Sequence, residues 1–97
     1  MAELIIGKWC LSEESINNDW IYSYKLTITF SKNGNISIFN KESQMICEST
    51  YELDESSLMI DSPQNCARYK LESVDKNQLI LYNQGRSEIR RYKFKRC

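Results

Sequence analysis

The chain has 97 residues, enough for one hydrophobic core but not two. Hydrophobic residues at 41%, charged residues at 27%, three Gly and one Pro exclude a disordered, collagenous or low-complexity chain. Thirteen Lys and Arg balance thirteen Asp and Glu, and there is no His; no global field calls for nucleic acid or an anionic membrane, and the usual general base and commonest metal ligand are missing.

Period-two alternation recurs along the chain and sustained helical periodicity is scarce, which predicts short strands joined by turns. The first strand is read over residues 5–12. Residues 13–24 are ambiguous: Ser12 or Ser15 offers an N-cap ahead of Ile16, Trp20 and Ile21 at helical spacing, so a short helix or lid is expected between the first two strands. Leu26, Ile28 and Phe30 then alternate with polar residues, Ser31-Lys32-Asn33-Gly34 turns the chain, and Ile36 and Ile38 resume the pattern. Asn-Gly supports the positive φ of a tight hairpin turn. A strand over residues 44–53 places Tyr51 and Leu53 on one face, and residues 54–57 turn it toward Leu58 and Ile60. Ser62-Pro63-Gln64-Asn65 breaks that strand, Tyr69 and Leu71 mark the next, and Asp75-Lys76-Asn77 turns into residues 79–82. Gln84-Gly85-Arg86 leads to a terminal strand over residues 88–95.

The pattern is all-β: a single domain over residues 1–97, folded as a small antiparallel up-and-down barrel or half-barrel of about eight strands. Closing the sheet removes exposed edges, and strands this short leave little room for a cavity. The longest apolar run near the start, Leu4 to Ile6, is far too short for a membrane span. A cytoplasmic location is expected, or a secreted or periplasmic one if a leader has been removed. Cys10, Cys47, Cys66 and Cys97 have no CxxC spacing, so zinc is not expected and reduced thiols are the leading reading. If oxidised, Cys10 with Cys97 is the first pairing to expect, because barrel closure brings the first and last strands together.

Gly7-Lys8-Trp9 resembles the GxW opening of lipocalins and fatty-acid-binding proteins. Residues 28–34 are similar to the first hairpin of small lipocalin-like domains, and residues 91–96 to their closing strand. The resemblance implies structural roles for Gly7 and Trp9, with an arginine packed over the tryptophan; Arg90 is the candidate. Arg90-Arg91-Tyr92 is also similar to the Arg-x-Tyr that holds a ligand carboxylate in fatty-acid-binding proteins. A carrier of a small apolar carboxylate would then use Arg90 and Tyr92 for the head group and Phe30, Ile38 and Leu79 for the tail.

No Ser-His or Cys-His pair can form and no phosphate-cradling glycine loop is present, so an enzyme is not expected and no cofactor is implied. Glu48 and Glu52 share a strand face and form the surviving carboxylate pair. The closing segment interleaves Arg86, Arg90, Arg91, Lys93, Lys95 and Arg96 with Tyr92 and Phe94, a pattern that in a neutral chain more often discourages edge pairing than tracks nucleic acid. Trp20, Tyr22 and Tyr24 are candidates to cover a barrel mouth or anchor an interface. From Glu42 to Asp61 there are six acids and no Lys or Arg. Glu48, Glu52 and Asp54 share a parity and, with Glu55 and Asp61, define an acidic stripe suited to a basic protein. The leading expectation is therefore a non-enzymatic binding module that masks a basic partner such as a toxin or nuclease, as an inhibitor or toxin-immunity protein does. The carrier is the alternative.

Overall fold

The computed structural model describes residues 2–54, 57–61, 69–84 and 87–97. One helical turn, Ala2–Ile5, leads into β1 (Gly7–Ile16), followed by β2 (Asp19–Tyr22), β3 (Leu26–Phe30), β4 (Asn35–Asn40), β5 (Met45–Asp54), β6 (Ser57–Asp61), β7 (Lys70–Val74), β8 (Gln78–Gln84) and β9 (Ile89–Arg96). All the described pairings are antiparallel. Eight strands form a curled half-barrel in the order β6-β5-β4-β3-β1-β9-β8-β7, and β2 pairs with β1 beyond the end of β3. The first and last strands are thus neighbours, an arrangement compatible with a calycin-like barrel.

Alternation decides what faces inward. Leu26, Ile28 and Phe30 on β3, Ile36 and Ile38 on β4, Leu79 and Leu81 on β8, and Tyr92 and Phe94 on β9 enter one core with Trp9 and Leu11. Full burial of such side chains stabilises by about 1.5–3 kcal/mol each before chain entropy is set against it. Phe30 meets Tyr51 edge to face at 5.0 Å, and the Tyr51 hydroxyl donates to the Ser31 carbonyl at 2.8 Å, tying β5 to the β3–β4 turn.

The expected helix over residues 13–24 is replaced by strand, turn and strand. β1 continues to Ile16, and Asn17 and Asn18 both adopt positive φ, at 51° and 74°. Two such residues build the primed turn that matches strand twist, and Asn tolerates that region better than other non-glycine residues. Trp20, Ile21 and Tyr22 follow on β2, every residue of which is exposed. They form no lid over the core.

β1 also carries a bulge between Leu11 and Glu13. Ser12 is the extra residue; its hydroxyl donates to the Lys93 carbonyl at 3.0 Å and its own carbonyl accepts from the Ser23 amide at 3.2 Å. The bulge reverses the phase of the strand, so that Glu14 lies opposite buried Tyr92.

Cys10 is bonded to Cys97, against the leading expectation of reduced thiols and in the pairing expected for the oxidised chain. Cys47 is disulfide-bonded as well. Cys66 lies outside the described residues.

Candidate protein-binding face

Of the expected acidic stripe, Glu48 and Glu52 stand on the outer face of β5, on the flank it shares with β3 and β4. On β5, Cys47, Ser49, Tyr51 and Leu53 are half-buried, whereas Glu48, Thr50 and Glu52 are exposed between them. Cys47, Tyr51 and Leu53 pack on the core, which fixes the phase and turns Glu48 and Glu52 outward. Register then sets their neighbours: Glu48 lies opposite Ser37, and Ser37 opposite Thr29. Thr50 lies opposite Asn35 on one side and the Asp61 backbone on the other, while Asp54 pairs with Ser57. Asp54 and Asp61 are placed by backbone register alone, and Glu55 lies outside the described residues.

Four carboxylates beside β1 and β9 are ion-paired. Glu13 pairs with Lys93 at 3.6 Å, Glu14 with Lys25 at 3.3 Å, Glu72 with Arg91 at 2.9 Å and Glu88 with Arg90 at 2.9 Å. Among the described residues, Glu48 and Glu52 have no such partner. Lys8 ends the cross-strand row that contains Thr29, Ser37 and Glu48. Three strand spacings of about 4.8 Å keep its backbone roughly 14 Å from that of Glu48. Glu48 and Glu52 are themselves about 13 Å apart along the extended chain, too far to share one substrate atom.

A groove of about 480 Å³ opens on this flank, lined by Thr29, Ser31, Asn35, Ser37, Glu48 and Thr50 together with Ile36 and Ser49. The groove was not foreseen from sequence. Its signal was the run of small hydroxyl residues at outward positions of three adjacent strands, visible only once their register is known.

The five residues expected to hold an apolar carboxylate divide into two environments. Phe30, Ile38, Leu79 and Tyr92 are packed in the core, but Arg90 is exposed and donates from Nε to Glu88 at 2.9 Å. The Glu88 hydrogen bond and charge raise the Arg90 pKa, with a smaller contribution from Tyr92. Tyr92 in turn meets Tyr69 edge to face at 5.2 Å. Burial, then the proximity of Tyr92 and Glu14, pushes the Tyr69 phenol well above its ordinary value.

Arg90 is also not the arginine over the tryptophan. That position belongs to Arg96, whose guanidinium carbon sits 3.8 Å from the centroid of the Trp9 ring. Both arginines have the inward parity of β9, but Arg96 lies directly opposite Trp9 whereas Arg90 lies opposite Ile16. Arg96 donates to the carbonyls of Ile6 at 2.8 Å and Leu4 at 2.5 Å, and Trp9 Nε1 donates to the Ile5 carbonyl at 2.9 Å. Gly7 makes room for this cap: its φ is +122°, and a Cβ there would come within 2.7 Å of Arg96 Nη1.

Tyr92 and Phe94, the rings that would stack on bases, are buried, and Arg90, Arg91 and Lys93 are ion-paired. Arg86 lies outside the described residues. Among the described residues no group of three or more His, Cys, Asp or Glu side chains is arranged to hold a metal, and no helix is long and apolar enough to cross a membrane. No family model matches the chain, and the curated proteins contain no match to it.

Proposed function

We propose that this protein is a non-enzymatic binding module whose acidic flank masks a basic partner protein, in the manner of an inhibitor or toxin-immunity protein. The observation that carries the reading is the unequal treatment of carboxylates. Glu13, Glu14, Glu72 and Glu88, beside β1 and β9, are ion-paired within the chain, while among the described residues Glu48 and Glu52 stand outward on β5 without an ionic partner. Unspent negative charge on a rigid sheet attracts a basic surface over several ångströms and orients it on encounter. The core residues that make the sheet rigid sit directly behind it.

The carrier alternative draws less support, because the side chains assigned to the ligand tail are buried in the core cluster and Arg90 is engaged by Glu88. The Cys10–Cys97 bond favours an oxidising compartment for the folded protein over the cytosol.

Calorimetric titration of the protein against purified basic nucleases tests the reading. We expect a one-to-one complex that weakens with added salt and weakens by about tenfold or more when Glu48→Lys and Glu52→Lys are combined. Affinity unchanged by that double reversal rejects this surface.

A further inference from the structure

We propose that the groove on the outer flank is a receptor for an arginine side chain of the partner, with Glu48 as its carboxylate. The inference rests on the acidic-flank reading and names the chemistry of its central contact. The row Thr29–Ser37–Glu48 crosses three adjacent strands with short side chains at its first two positions, so the floor is low and polar. Two residues along each strand, the next outward row is Thr27–Phe39–Ile46. Ile46 is 63% exposed, an apolar shoulder beside a polar trough.

The lining selects its guest by elimination. Glu48 is the only formal charge among the groove residues, which turns away phosphates and carboxylates. Hard divalent cations need several carboxylate or carbonyl oxygens and find a single carboxylate. No aromatic ring lines the groove to stack a sugar or a base. A cation rich in hydrogen-bond donors and carried on an apolar stem remains. Arginine matches better than lysine: its planar fork has five N–H donors, two for a bidentate bond to Glu48 and the rest for hydroxyl oxygens of Thr29, Ser37 and Thr50. Its methylene stem then lies along Ile46 and Phe39. Ser31 is already engaged with the turn, its hydroxyl donating to the Asn35 carbonyl at 3.0 Å and accepting from the Asn35 amide at 3.1 Å.

The test is an amide-shift NMR titration of the whole protein with acetyl-arginine-amide, with acetyl-citrulline-amide as its uncharged isostere and acetyl-lysine-amide as the second cation. Saturable shifts at Thr29, Ser37, Glu48 and Thr50 are expected with the arginine probe, weaker with lysine and absent with citrulline. Glu48→Gln should weaken the arginine probe by about tenfold, the loss of a charge-assisted bond, and Asp19→Asn on β2, away from this flank, should leave it unchanged. Equal responses to arginine and citrulline, shifts centred elsewhere, or no saturable site would overturn the assignment. A combined Ser37→Val and Thr50→Val variant in the nuclease titration separates the two claims. If the complex survives this variant but is lost on charge reversal, the groove is wrong and the acidic flank stands. Indifference to charge reversal rejects the flank itself, whatever the arginine probe does.

Discussion

At the end of the half-barrel where the first and last strands begin and finish, Trp9 is fully buried, Arg96 covers its ring, the helical turn supplies carbonyls to both, and Cys10 is bonded to Cys97. At the opposite end, Ile16, Trp20, Ile21, Tyr22 and Tyr24 are exposed, and the local structure comes from a two-residue Asn turn and a four-residue strand. One end is closed by burial, cation–aromatic contact and a covalent bond together. The other is shaped by turn chemistry and by Lys93, whose Nζ lies 4.4 Å from the centroid of the exposed Trp20 ring. The difference teaches that burial and crosslinking of this short meander are concentrated at one end of its paired terminal strands, leaving the far rim exposed.

Breaking the closed end should have the largest consequence. Replacing Cys10 and Cys97 together by Ser removes a crosslink with a sequence separation of 87, which costs about 4 kcal/mol on loop-entropy grounds. Urea unfolding of the oxidised protein and the variant measures it, and a loss under about 1 kcal/mol would mean that strand pairing and Arg96 suffice. Arg96→Met keeps the stem over Trp9 but removes the charge and the bonds to Leu4 and Ile6. A loss of about 2 kcal/mol is expected, against no more than about 0.5 kcal/mol for Ile21→Ser at the open rim. Equal losses at the two sites would erase the contrast.

The smallest effect at neutral pH concerns Tyr69, nearer the open end. Its phenol is raised above its unfolded value chiefly by burial. The stability it contributes is therefore complete below the unfolded tyrosine pKa of about 10 and is lost as pH rises beyond it toward the higher folded value. Tyr69→Phe should flatten the alkaline side of the stability curve, seen by thermal unfolding between about pH 9 and 11. An unchanged slope would show that Tyr69 remains neutral in both states or is not the group responsible.

The strand pattern was legible because side chains such as Leu26, Ile28 and Phe30 alternate without interruption, and burial on one face enforces that phase. The outward direction of Glu48 and Glu52 was legible for the same reason. Residues 13–24 misled because Ile16, Trp20 and Ile21 satisfy helical spacing while Asn17-Asn18, lacking a glycine, is a weaker turn signal than Asn33-Gly34. Arg90 and Arg96 could not be told apart by parity, which they share; only the pairing of β9 with β1 sets Arg96 against Trp9. The thiol state was beyond composition, although the Cys10–Cys97 partnership followed from topology. The groove needed the register of three strands at once, information that no single segment contains.

The bond between Cys10 and Cys97 also decides how the molecule answers mechanical load. Tension applied between Cys10 and Cys97 runs through sulfur, bypassing the hydrogen-bonded ladders that lie between them. Pulled that way, the half-barrel behaves as an inextensible bead until the crosslink is reduced.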